Sequence, residues 1–213
     1  MVTERRYHHG DLRRVVLEAA VKEIGVGGPA ALSMREIARR AGVSHAAPAH
    51  HFGDRRGVFT AIATEGFGLL HLATSRAASE PDTLLQIALA YIRFALEYPA
   101  HFDVMFRPDI LRLDDRDLVS ARDSAFETFY GVVRNSLNQP ADAEFTGAVV
   151  AAWAIVHGFA TLWLSGSLSL EFGDDPEALA LLAGRGLVDL ARVTAQQLPS
   201  EADERARSPG GPR

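Results

Sequence analysis

The chain contains no cysteine in its 213 residues. That absence excludes a disulfide framework, a thiolate metal site and a thiol nucleophile, and it fits a reducing compartment. A glycine-rich phosphate loop, a nucleophile elbow, an HExxH pair and a dinucleotide fingerprint are missing too, so catalysis and a bound cofactor are not expected. No segment alternates polar and apolar residues over a strand's length, which argues against a β-sheet. The amino terminus, Met1 to Asp11, is charged and polar rather than a signal peptide, and the expected location is the cytoplasm.

What is present is a large apolar fraction, 47%, enough for a sizeable core. Charge is distributed unevenly behind a net −5. Residues 1–57 hold ten Lys/Arg and six Asp/Glu, a net +4, which leaves 12 and 21, a net −9, for the remainder. A basic head on an acidic body suits a polyanion partner while discouraging non-specific coating of it.

The apolar period is helical throughout, and about nine helices in an all-α fold are expected. The first helix starts near Asp11, taken as its N-cap, and stops at Gly25-Val26-Gly27-Gly28-Pro29. Ser33 and Glu36 read as a capping box for a short second helix ending at Gly42, and Ser44 as the cap of a third through His51. Two short helices joined at Gly42-Val43 make a helix-turn-helix. A longer fourth helix follows Gly53-Asp54, a fifth runs from Pro81-Asp82 to about Tyr98, and a sixth from Pro99 to about Arg107. A seventh opens at Asp114-Asp115, an eighth is expected at about 142–166 and a ninth at about 175–198. The implied domains are a DNA-binding head at 1–57, a helical body at 58–199 and a disordered tail at 200–213.

The segment Leu32-Ser33-Met34-Arg35-Glu36-Ile37-Ala38-Arg39-Arg40-Ala41-Gly42-Val43-Ser44, followed by His50-His51-Phe52, resembles the signature of the TetR family of transcriptional regulators. Arg6-Tyr7-His8-His9-Gly10-Asp11-Leu12-Arg13 resembles one subgroup of it. The pattern also has its own physical rationale. Ala38 is small where two helices cross, Gly42 permits a sharp turn, and Ile37 with Val43 fills the core beneath.

In a helix-turn-helix, residues near the start of the second helix reach base edges, which nominates Ser44, His45, Ala46, Ala47 and His50 for double-stranded operator DNA. Arg35, Arg39, Arg40, Arg55 and the arm Arg5-Arg6 are the candidates for holding the phosphate backbone, and Ser33 and His51 complete the expected DNA-binding set. Two features depart from the family pattern. Pro48 falls inside the expected third helix, and Ala49 stands where the family usually has tyrosine, so a helical ligand-binding or interaction protein with a degenerate, non-DNA-binding head is the alternative reading.

Five of the eight histidines lie in the first 57 residues, but His8-His9 and His50-His51 are adjacent pairs. Neighbours on a helix diverge by about 100°, so neither pair makes a metal site alone.

From Phe145 to Leu170 there are 26 residues without Asp, Glu, Lys or Arg. That length would permit a membrane span, yet its flanks are Glu144 and Glu171 rather than basic clusters, and it contains His157 and three glycines. A helix buried inward on its own domain and outward on a twofold partner meets the same requirement. The last two long helices are therefore expected to form a homodimer, with Val149, Val156, Leu182 and Leu187 in the contact.

Trp153, His157 and Gly158 form W-x-x-x-H-G, which resembles the Trp-His-Gly signature of one class of TetR-type ligand domains. The resemblance implies a small-molecule effector pocket lined by Phe94, Tyr98, Phe102, Phe106, Phe126, Phe129, Tyr130, Trp153 and His157. A core tryptophan beside a satisfied core histidine is the equal alternative. The implied ligand is apolar or aromatic, and anionic if Arg93 or Arg107 turns inward.

Overall fold

The computed structural model describes residues 9–80, 83–137 and 143–197, and among these every regular element is helical. The chain divides into two compact units, residues 1–164 and 165–213. The expected tail, residues 200–213, and the arm Arg5-Arg6 lie outside the described residues.

In the first unit, α1 (His9–Gly27) begins before Asp11, so Asp11 is a helical residue rather than its cap. Gly28 at φ 71° and Pro29 end it, and a single 3-10 turn, Pro29–Ala31, leads onward. In α2 (Met34–Ala41), the Ser33 hydroxyl accepts from the Glu36 N–H at 3.4 Å, which is half of the expected capping box. The other half is absent because the Glu36 carboxylate instead accepts from Arg39 and Arg40. Gly42, at φ 66°, makes the left-handed turn, and the Val43 N–H closes on the Ala38 carbonyl at 3.0 Å.

The third helix starts later than its sequence suggests. Ser44 and His45 stay in the turn, the Ser44 carbonyl accepts from Ala47 N–H at 3.0 Å, and α3 is Ala47–Phe52 with Ala46 as cap. Pro48 therefore sits in the first helical turn, where its missing N–H has no intrahelical partner to lose. Asp54 caps α4 (Arg55–Ala77) through the Gly57 N–H at 2.9 Å.

The long α4 is the spine. It packs on α1 and α3 at its start and on α5 (Thr83–Glu97), α6 (Pro99–Met105) and α7 (Arg116–Leu137) further on. α8 (Ala143–Leu164) lies against α5 and α7. One apolar cluster runs without a break from Val16 and Ile37 through Phe59 and Phe67 to Phe102, Val156 and Ala160. Head and body up to Leu164 thus share a core.

The second unit holds a helix that its sequence conceals, α9 (Ser167–Phe172), too short for its period to register. α10 (Pro176–Gln197) follows, with Asp175 accepting from the Glu177 and Ala178 N–H groups at 3.0 Å.

Candidate nucleic-acid interface and aromatic core

On the head, Ser44, His45, Ala46, Ala49 and His50 are exposed together at the turn and first face of α3. Ala47 is not among them. Only 8% of its surface is exposed, because the later helix start rotates it under the turn, and it leaves the set of base-reading candidates. Arg35 is exposed on α2. Arg39 is 69% exposed, and its guanidinium forks onto Glu36, at 2.8 Å through Nε. That hydrogen bond raises the Arg39 pKa and lowers that of Glu36. Arg40 bridges Glu36 and Glu23 at 3.1 and 2.9 Å and so ties α2 to α1.

Arg55 serves the fold. Its guanidinium donates to the carbonyls of Pro29 (2.5 Å) and Ala30 (2.8 Å) and lies 5.2 Å from the centre of the Phe59 ring, which clamps the turn before α2. Ser33 is occupied as the α2 cap, and His51 lines a 350 Å³ polar cleft with Arg13, Glu65, Arg112 and Asp117. Among the described residues no group of three or more His, Asp or Glu side chains is placed to hold a metal ion.

In the body, the aromatic residues separate into distinct groups. Phe106, Phe126, Phe129 and Trp153 line one apolar cavity, together with Phe67, Leu70, Thr74, Tyr91 and Ala125. Phe102 and His157 abut it, with ring centres 5.1 Å apart, and Phe106 stands edge-on to His157 at 4.7 Å. Phe94 and Tyr98 lie elsewhere, paired at 5.6 Å in a groove between α4 and α5, and Tyr130 packs on Phe145 at 6.3 Å. None of these three lines that cavity: Tyr130 is turned about 100° from Phe129, whereas Phe94 and Tyr98 share the face of Tyr91 but stand three and seven residues further along the chain.

Tyr91 is the residue that the sequence reading missed. Its hydroxyl lies 2.9 Å from His157 Nδ1 and accepts from the Trp153 indole N–H at 3.4 Å. Burial pushes the Tyr91 phenol well above its ordinary pKa and pulls that of His157 below its own, so both rings are held neutral. A helical period that sets Tyr91 beside Ile87 and Ala95 was the available signal; nothing local marked it as polar partner of a residue 66 positions away. The cavity is about 20 Å³, room for roughly one water molecule. No Asp, Glu, Lys or Arg lines it. Arg93 is on the surface, and Arg107 faces Asp103 and Asp109 at 3.9 Å, so neither supplies the inward cation considered from sequence.

The model of bacterial regulatory proteins of the tetR family matches residues 16–62, and the tetracycline repressor-like C-terminal domain model matches residues 84–206, more than half of the chain. The chain belongs to the TetR family. Among curated TetR-type relatives it is similar to the HTH-type transcriptional regulator BetI of Rhizobium meliloti, 34% identical over 92 residues, 40% of this chain and 45% of that protein. The match thus spans under half the length of that relative. A solved protein of unknown function from Rhodococcus sp. RHA1 is 31% identical with a TM-score of 0.70, covering 86% of this chain and 96% of that one. The TetR regulator PfmR of Thermus thermophilus shares the fold at 22% identity and a TM-score of 0.59, over 78% of this chain and 92% of its own.

A Cβ built on Gly158 meets nothing within 4 Å. The same helix, from Phe145 to Leu164, is long and apolar enough to cross a membrane, with a mean hydropathy of 1.7 and only 17% of that stretch buried. Its inward face carries Phe145, Val149, Val156 and Ala160, so Val149 and Val156 belong to the core and not to an intermolecular contact. The outward face carries Val150 (54% exposed), Ile155 (42%) and Leu162 (48%).

Proposed function

We propose that this protein is a ligand-responsive transcriptional regulator of the cytoplasm, a homodimer that represses from a palindromic operator and is released by a small apolar or aromatic effector. The observation that carries the reading is the exposed cluster Ser44, His45, Ala46 and His50 on a glycine-turned helix pair, flanked by Arg35 and Arg39. Small and imidazole side chains at the head of a recognition helix reach base edges, and the arginines set position on the phosphates. Pro48 no longer counsels a degenerate head, since α3 begins late enough to accommodate it.

The uncovered face of α8 supports a dimer. An apolar helix open on one side needs a second apolar surface, and Leu182 on α10, 61% exposed, offers another such position. Leu187 lies in a part of α10 whose side chains are not described. The Trp153–His157 face would meet the effector, whose greater affinity for one conformer shifts the population off DNA.

Selection of bound fragments from genomic DNA, followed by titration of the best site at several salt concentrations, tests the proposal. A palindromic site whose affinity falls steeply with salt is expected, because phosphate contacts release counterions. If no fragment is enriched, the head does not bind DNA and the helical ligand-binding alternative takes its place.

A further inference from the structure

The aromatic core is closed around its own polar atoms. A small-molecule site usually offers some 300 Å³ or more, on the order of ten times the 20 Å³ found here. Something in the lining must part for a ligand to enter. Thr74 is engaged with its own helix, its hydroxyl donating to the Leu70 carbonyl at 2.9 Å. The polar joint between α5 and α8 is the chain of hydrogen bonds from Trp153 to Tyr91 and on to His157. Phe102, Phe106 and Tyr91 all stack around that joint, within 6.4 Å of the imidazole centre.

We infer that the effector is an uncharged aromatic molecule carrying a hydroxyl or carbonyl group, and that it enters by taking over the Tyr91–His157 hydrogen bond. The inference rests on the proposal that this core is the effector site. Three observations lead to it. Separating Tyr91 from His157 leaves the buried Tyr91 hydroxyl and the half-buried His157 ring nitrogen without each other, a penalty that a ligand filling the space between them relieves only if it brings a hydrogen-bonding group of its own. No cationic side chain lines the cavity, so a carboxylate would lose its hydration with nothing to replace it. Phe106 and Phe126 both pack against the Trp153 ring, at 5.9 and 5.4 Å, an environment that a further ring extends.

The test is calorimetric titration of the full-length protein with naphthalene, 2-naphthol and 2-naphthoate, which share one ring system and differ in a single substituent. We expect 2-naphthol to bind about tenfold or more tightly than the other two, the difference that one unsatisfied buried polar group makes. In Tyr91→Phe the advantage of 2-naphthol should shrink to within about twofold, and because the ligand series also runs on the unaltered chain, the outcome does not depend on that variant folding. Equal binding of all three, or preference for 2-naphthoate, overturns the inference while leaving the core as the effector site. Binding of none of them removes the site and the inference together.

Discussion

Arg112 reaches across 58 positions of sequence to place its guanidinium 2.8 Å from the same Asp54 oxygen that caps α4. Its own backbone N–H donates to the Thr60 hydroxyl at 3.0 Å, and Arg56 donates to the neighbouring Leu111 carbonyl. The segment between α6 and α7 is thereby fastened to the corner where the recognition helix turns into the spine. The two roles of Asp54 are separable. Asp54→Ala removes cap and ion pair and should cost about 1 kcal/mol or more, whereas Asp54→Asn keeps a good cap and loses an exposed pair, a few tenths of a kcal/mol. Urea denaturation of the two variants checks the order; equal losses would show that the ion pair and not the cap matters.

Acid lability should follow from the same residue. The Gly57 N–H, and after it Arg112, hold the Asp54 carboxyl below its ordinary pKa. A carboxylate depressed in the folded state contributes stability that is complete above its unfolded value of about 3.9 and is lost as pH falls through the lower folded value. Melting temperature against pH should therefore drop less steeply below about pH 4 in Asp54→Asn than in the parent. Parallel curves would assign the acid limb to other carboxylates, such as Glu65, whose pKa His101 lowers.

Two glycines of α4 should respond differently to the same substitution. A Cβ on Gly57 overlaps the backbone carbonyl oxygen of Phe52, which cannot retreat without moving the end of α3. A Cβ on Gly66 meets the sulfur of Met105 at 2.5 Å, the far end of a flexible side chain. Gly57→Ala is expected to cost more than about 3 kcal/mol and Gly66→Ala about 1–2, less the helix preference for alanine. Thermal denaturation by circular dichroism distinguishes them, and a mild Gly57→Ala would mean that the α3–α4 corner yields more readily than its geometry implies.

Adjacent residues of α8 offer a test of the dimer. Ile155→Glu places a charge on the uncovered face and should yield a folded monomer in sedimentation velocity at micromolar concentration. Val156→Glu buries a charge among Phe102 and its neighbours and should unfold the chain, at a cost of about 3 kcal/mol or more. A dimeric Ile155→Glu protein would direct attention to the second unit.

For the head, Arg35→Ala should weaken binding to all duplexes alike and flatten the salt dependence by about one unit of slope. His45→Ala and His50→Ala should instead alter the preferred site. Fragment selection with each variant separates the two classes; an unchanged site in both histidine variants would leave the turn without a reading role.

The all-helical fold and most helix ends were legible in the chain alone, because both depend on neighbours within four residues. The apolar period, the Ser33 cap and the Gly42 turn are of this kind. The family resemblance of residues 32–52 is local for the same reason. The six-residue α9 escaped because fewer than two turns show no period. What the tertiary structure decided is direction. Whether Ala47 or Ala46 faces outward turned on a two-residue delay in the start of α3, and whether Val156 or Ile155 is left exposed turned on a rotation of about 100°. The contacts of Arg55 with the carbonyls of Pro29 and Ala30, 26 and 25 positions away, likewise leave no mark in the sequence around it. Tyr91 acquires its role only when α5 meets α8, since a hydrogen bond between residues 66 apart leaves no trace in the sequence around either.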